Sequence, residues 1–507
     1  MKKRTIKKWS VGIASVLLLL TIVSYIGIKS QIKHQNGGDT ERVDPTQFKS
    51  VLSALAITNV SVLSTDCTKM IDSVTVLIKN GKILKVDKNI PIPTGYKIIN
   101  GAGKYLVPGF ADTHVHLDQS KNDLLLYLAN GVTQIAEMFG NEEHLKWRKE
   151  AINGSLSPKI YVATRKIGSK KGLKQKVRSW FGSMVNYTSE KKACKAVQKF
   201  KKQGYDAIKL SSFLEPKIYN AIVDEAKKQH IPAIGHLTQK VRLNEFYISG
   251  QTQLAHIEEI TKSTMVDFGG LHSYNTAEYL KYLKTHCDAI ALKIKKNNIV
   301  VSSTIWIMES LPKQKFELEN FIKNIELEYA NSGIIEGSKM GKGWLPNYNS
   351  YENLDIKNNA IKRKKSQLFW KAYVEAIHIM TNALARNNVT IITGTDANAA
   401  CTVPGFSLHD EFVSLHKSGL SKTQVLYATT VASSKWMKTN AGKIKIGYRA
   451  DLVLLTKNPL EDIKNTQTIN AVITNGKLLD RNTLDKMLQS IKEANTKSRK
   501  VSIDKFI

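Results

Sequence analysis

Val107-Pro108-Gly109-Phe110-Ala111-Asp112-Thr113-His114-Val115-His116-Leu117 is the stretch from which the rest of the chain is read. It has the composition of the end of a buried β-strand carrying two histidines one residue apart. Strand side chains alternate between faces, so His114 and His116 point the same way and can grip one metal ion together. A lone His-x-His also arises by accident or in a satisfied core. Its company gives it meaning, because further ligand types follow in order, each near the end of an apolar strand-like run.

Moving toward the C-terminus, strand-like runs recur near 134–137, 160–163, 207–210, 233–236, 253–256, 299–304 and 390–396. Helix-like runs such as 192–203 and 215–229 lie between them. This alternation predicts βα units, a parallel sheet and, with eight strands, a TIM-type (β/α)8 barrel over 108–438 whose site lies at the strand C-termini. The stretch 261–389 is too long for two ordinary units and predicts extra helices or a lid. On either side, 55–107 and 439–480 are short β-runs with the hairpin signals Asn80-Gly81 and Asn475-Gly476. They predict one small β-sandwich domain built from both flanks, followed by a helical tail over 481–507.

The N-terminus has a different character. Lys2, Lys3, Arg4, Lys7 and Lys8 precede an apolar run over 11–28, which as a helix reaches about 27 Å, close to the thickness of a bilayer core. Residues 1–30 read as a signal anchor, a transmembrane helix. The competing reading is a cleaved signal peptide, but Ile26-Gly27-Ile28-Lys29-Ser30 offers no small-x-small cleavage pattern. Basic residues stay on the cytoplasmic side, so the expectation is a single-pass cell-membrane protein with an extracytoplasmic catalytic domain, or a secreted one if cleaved. The polar stretch 31–54, with Gly37-Gly38, reads as a linker.

Lys+Arg 75 against Asp+Glu 43 gives a net charge of +32. Such a surface suits anionic envelope polymers or lipid, and no motif with interleaved aromatics points to nucleic acid. A 42% hydrophobic, 23% charged composition excludes a disordered chain. Cys67, Cys194, Cys287 and Cys401 form no C-x-x-C pair, which excludes a zinc ribbon and a redox motif. The sequence leaves the oligomeric state open.

The strand ends supply His114, His116, Lys209, His236, His256 and Asp396. Hydrolytic metal sites need such imidazole and carboxylate groups plus an open position for water. Lys209 is out of place in an apolar strand, since burying an ammonium costs several kcal/mol unless it is paired, neutralised or modified. A neutral amine that captures carbon dioxide becomes a carbamate, an anion able to bridge two divalent cations. Glu137 lies at a second-strand end, as a substrate contact or a partner of the ligands. Ser407 and His409 stand where a loop after Asp396 faces substrate. Trp306 and Trp344 either wall a pocket or pack.

With these blocks in place, the chain resembles the amidohydrolase superfamily, in its dipeptidase-like and imidazolonepropionase-like branch. The resemblance runs from about Leu55 to Leu479. It rests on the stretch quoted first, on Tyr205-Asp206-Ala207-Ile208-Lys209, Ile234-Gly235-His236-Leu237, Leu254-Ala255-His256-Ile257-Glu258, Thr393-Gly394-Thr395-Asp396-Ala397, Pro404-Gly405-Phe406-Ser407-Leu408-His409 and Gly447-Tyr448-Arg449-Ala450-Asp451-Leu452-Val453. It implies two divalent ions, zinc or else manganese. His114, His116 and Asp396 would hold the first, His236 and His256 the second, and a carboxylated Lys209 would bridge them. Asp396 would also take the proton of the attacking water and deliver it to the leaving nitrogen. One departure is Gly235-His236-Leu237-Thr238, where many relatives have proline two residues after the histidine.

The function this implies is metal-dependent hydrolysis of a C–N amide-type bond, in a dipeptide or small peptide, by a metal-activated hydroxide outside the membrane. A cyclic, imidazolone-type amide is the alternative substrate. A non-catalytic envelope-binding protein that kept the fold is the rival from another class.

Overall fold

The two sequence segments that flank the long middle region meet because β-strands leave unpaired edges that must find partners. The computed structural model describes residues 2–48, 54–173, 175, 184–352, 356 and 358–507. In it β1 (Leu55–Leu63), β2 (Met70–Lys79), β3 (Lys82–Asp87), β4 (Lys97–Asn100) and β5 (Tyr105–Pro108) come before the middle region. The Asn80-Gly81 turn has both residues at positive φ, 52° and 73°, as a tight hairpin of right-handed strands requires. After the middle region, β5 is paired antiparallel by a late strand at Leu452–Leu455, which continues through Ile469–Thr474 and Lys477–Asp480.

Hydrogen bonding joins these strands into one eight-stranded sheet. The reason lies in β1, which shifts register between Ile57 and Val60 and again between Val60 and Val62. Bulges of this kind bend a strand and deepen its twist. β1 can then pair β4 along its first half and β5 along its second, both on one edge. One face gathers an apolar core with Ile57, Val76, Leu106, Leu452 and Ile473 fully buried.

The middle region holds β6 (Phe110–Val115), β7 (Val132–Gly140), β8 (Lys159–Thr164), the short β9 (Ile167–Gly168) and β10 (Val185–Asn186), then β11 (Ile208–Leu210), β12 (Ala233–Gly235), β13 (Gln253–Leu254), β14 (Val300–Ser302) and β15 (Ile391–Ile392). β6 to β8 form one parallel sheet, and β11 to β15 run parallel in chain order in another. A parallel bridge Ala163–Ala207 links β8 to the start of β11, and Val115–Ala397 links β6 to the chain just beyond β15. Thr113 N–H donates to the Thr393 carbonyl at 2.8 Å on that second seam. The helices Glu190–Lys202 and Pro216–Lys228 are crossovers that bury an apolar stripe. The long insertion supplies helices, among them Thr276–Lys296, Ile305–Phe321 and Ala360–Arg386.

The N-terminal helix α1 (Lys2–Gln35) contains a stretch, Ala14–Gln35, of mean hydropathy 1.6 that is long and apolar enough to cross a membrane. The segment expected to be a linker is tied to the body over 36–48; its residues 49–53 lie outside the described residues. Thr40 donates its buried hydroxyl to Asn331 at 2.9 Å, and the Val43 N–H donates to Asn122 at 2.9 Å. The C-terminal helix runs Arg481–Ser498, capped by Asp480.

Candidate metal centre

The strand ends converge because parallel strands with crossovers bring all their C-termini to one side. Period-two alternation puts Asp112 and His114 on one face of β6, with His116 just past its end. Asp396 reaches them from the turn after β15, held at φ 61°, with its N–H donating to the His114 carbonyl at 2.8 Å. The approach demands a glycine: a Cβ on Gly394 would lie 2.7 Å from the His114 Cβ.

Asp396 Oδ1 stands 2.9 Å from His116 Nε2 and 3.3 Å from His114 Nε2. His114, His256 and Asp396 each offer a ligand atom within 4.8 Å of the others. The His236 ring centroid lies 5.1 Å from that of His256, and Lys209 Nζ is 3.3 Å from His114 Nε2. The six residues singled out in the sequence are thus brought together at one place. Each carries its own setting. His114 Nδ1 donates to the Ala255 carbonyl at 3.2 Å, His236 Nδ1 to Glu259 at 2.6 Å, and His256 Nδ1 pairs with the Thr304 hydroxyl at 2.7 Å. With Nδ1 engaged outward, the Nε2 lone pair is the one left to bind.

Electrostatics agree with a ligand set. Burial drives His114 and His236 well below the ordinary histidine range and His256 to about 3, so these imidazoles are neutral donors. Burial alone would raise Asp396, but His114 and His116 outweigh it and hold the carboxylate ionised. Burial, with the Lys166 charge adding to it, brings Lys209 down to about 7. Among the described residues no carboxylate lies within ion-pair distance of its amine. A buried amine facing an imidazole is a poor protein interior and a good place for an inserted cation, so the donor set fits divalent metal.

Three residues that the sequence reading missed complete the setting. Asp112 is fully buried and accepts from the Thr395 hydroxyl at 2.6 Å and from the His114 N–H at 3.2 Å. Glu259 accepts from His236 and from the Leu237 N–H at 2.6 Å. Thr304, at φ 51°, orients His256. Asp112 was there to be found, two residues before His114 on the same strand face. Glu137 accepts from the Leu117 N–H at 2.5 Å and the Phe139 N–H at 2.6 Å, and so shapes the loop after His116. The structure corrects the placing of Ser407 and His409: both are buried in a helix, with His409 bonded to Thr466 and the Asn130 carbonyl and packed edge-on to Phe110. Gly405, at φ 81°, caps the start of that helix. Trp344 is buried in the insertion, and Trp306 packs near Phe321 at 6.1 Å.

The model of the amidohydrolase family matches residues 105–479. The chain belongs to the amidohydrolase family. Its fold is the α/β fold of that family with a parallel sheet, and amidohydrolases generally use divalent metals. Among solved structures, it is similar to the bottromycin amidohydrolase, with TM-score 0.65 and 18% identity over 92% of this chain and 96% of that one. It is also similar to a Xaa-Pro dipeptidase with methionine bound in its active site, with TM-score 0.58 and 16% identity over 84% of this chain and 100% of that one. The dihydroorotase of Aquifex aeolicus (strain VF5) is 52% identical over 42 residues, 8% of this chain and 10% of that protein. The chain spans about a tenth of the length of the curated relatives it matches first.

Proposed function

We propose that this amidohydrolase hydrolyses a C–N amide-type bond of a dipeptide or small peptide, on the outer side of a membrane in which α1 anchors it. The observation that carries the reading is the convergence of His114, His256 and Asp396 within 4.8 Å of one another, with Lys209 Nζ 3.3 Å from His114. The eight-strand cycle, linked at both seams, supports a TIM-type (β/α)8 barrel with this centre at its C-terminal face.

In this reading His114, His116 and Asp396 hold one divalent ion and His236 and His256 a second, with zinc, or else manganese, suited to N and O donors. When bound, the ions supply an acidified water and polarise the substrate carbonyl. Lys209, with its neutral form populated near pH 7, would take up carbon dioxide as an N–C bond forms and a proton leaves, and the carbamate would offer two anionic oxygens as metal ligands. Asp396, ionised and 2.9 Å from His116, is placed to accept the proton of the attacking water and return it to the leaving nitrogen. Glu259 and Thr304 hold their histidines in the binding tautomer.

Elemental analysis of the full chain, purified with bicarbonate and divalent metal, tests the centre. About two tightly held ions per chain are expected. A folded protein with none would overturn the reading, and one ion would remove the carbamate bridge.

A further inference from the structure

The side chains of α1 from Ala14 to Gly27 are exposed, including Leu18 at 62% and Ile26 at 60%. At Ile28 burial begins, and the same unbroken helix docks on the body. His34 Nε2 lies 3.3 Å from Glu336, and the Ser338 hydroxyl donates to Gln35 at 3.0 Å. The fit is close, since a Cβ on Gly333 would strike the His34 carbonyl. The chain then turns at Gly37 (φ 77°) and is fastened by Thr40 and Val43. From Ser10 to Gly27 the helix covers about 27 Å, one bilayer core, so no slack separates the span from the body. The body face that meets α1 therefore sits at headgroup depth.

That face carries a cavity of about 690 Å³, with Ile26, Lys29 and Lys33 of α1 on one wall and Phe139 of β7 with Asp118 and Arg165 of the strand-end loops on the other. Phe139 joins it to the candidate metal centre, standing 6.2 Å from the His116 ring. In the centre His114 and Lys209 are fully buried, whereas Asp396 and His116, the ring beside Phe139, keep side chains 23% and 17% exposed. The lining joins apolar surface next to the bilayer to three cations, Lys29, Lys33 and Arg165, against one carboxylate, Asp118.

From this juxtaposition we infer that the cavity admits the substrate from the membrane surface, and that the substrate is an anionic amphiphile, an N-acyl amino acid or N-acyl peptide. The acyl chain lies along Ile26 in the bilayer, the carboxylate meets the lysines and Arg165, and the amide between them reaches past Phe139 to the centre. The inference rests on the amide-hydrolase reading and narrows its substrate. Water adds across the amide: the acyl carbon gains a C–O bond, the C–N bond breaks, the nitrogen takes the proton, and a fatty carboxylate and a free amine leave.

Photolabelling tests the cavity without turnover. The full chain in phosphatidylcholine vesicles is exposed to N-palmitoylglycine bearing a diazirine midway along its acyl chain, and labelled peptides are mapped. Labels are expected on the peptide containing Phe139 and on 25–33 of α1, competed by N-palmitoylglycine and not by equal N-acetylglycine. Charge reversal at two exposed positions, Lys29→Glu with Lys33→Glu, should lower the Phe139 label at least about tenfold. Labelling of 14–24 alone, with none at Phe139, would overturn the inference. Failure of the underlying reading shows differently: Phe139 is labelled, yet metal-loaded protein releases no glycine from any N-acylglycine, long or short.

Discussion

The eight-stranded sheet and the parallel cycle fill their buried positions in opposite ways. In the sheet the inward face is aliphatic, with Leu55, Ile57, Val76, Leu106, Leu452 and Ile473 at 1% exposure or less. At the strand ends of the middle region the equally buried positions are Asp112, His114, Glu137 and Lys209. The first choice is what an apolar core asks for, at about 1.5–3 kcal/mol per buried aliphatic side chain. The second places ionisable groups where each is expensive unless paired. Stability therefore resides in the sheet and the outer core, and chemistry in a centre that is poor at folding.

That division can be broken at four places. The largest effect is expected at the centre. Asp396→Asn should lower amide hydrolysis at least about 10³-fold, since it would remove both a proposed ligand and the proposed proton acceptor, with circular dichroism unchanged. Near-parental turnover would remove Asp396 from the chemistry.

Lys209→Met comes next and tests whether the centre opposes folding. In metal-free protein a lysine lowered from 10.5 to about 7 binds fewer protons folded than unfolded between those values. The parent should therefore gain stability as pH rises from 7 toward 10.5, and the variant should lack that gain. At pH 7 the variant is expected to be the more stable, by about 3 kcal/mol, an advantage that shrinks by pH 10. Denaturant melts at the two pH values read the sign directly.

Ile57→Ala probes the opposite region. It should cost about 2–4 kcal/mol in thermal or denaturant unfolding and leave metal content unchanged. A loss of metal with it would mean that sheet and centre are not separable.

Glu259→Gln should have the smallest effect. It keeps the shape but weakens the carboxylate hold on His236 Nδ1, so metal affinity measured by competing chelator should fall about 10–100-fold. The unfolding midpoint of metal-free protein should move little.

The same contrast explains which parts were legible beforehand. Asn80-Gly81 and Asn475-Gly476 announce hairpins because only such residues adopt the positive φ values of 52° and 73° and of 50° and 76° seen there. His114 and His116 were readable as a pair because strand alternation fixes their common side. Lys209 was conspicuous as a charge in an apolar run. By contrast, nothing near Glu259 or Thr304 marks them as partners of His236 and His256, since those contacts join residues from neighbouring loops. His409 misled for the same reason: closeness in sequence to Asp396 says nothing about which way the following helix turns. The polar composition of 31–54 suggested a free linker, yet Thr40 finds Asn331 almost three hundred residues away.

The sequence by itself determined the strand and helix alternation, the identity and order of the candidate metal ligands, and a span-length apolar helix at the N-terminus. These are local properties, set by backbone periodicity and by what each side chain costs to bury. Only the tertiary structure decided that the flanking strands close into one bent sheet and that Asp396 faces both His114 and His116. It also decided that the end of α1 docks on the body through His34 and Gln35. Those outcomes depend on bulges, glycine approaches and long-range hydrogen bonds, which are three-dimensional matches between distant segments and leave no periodic trace in either one.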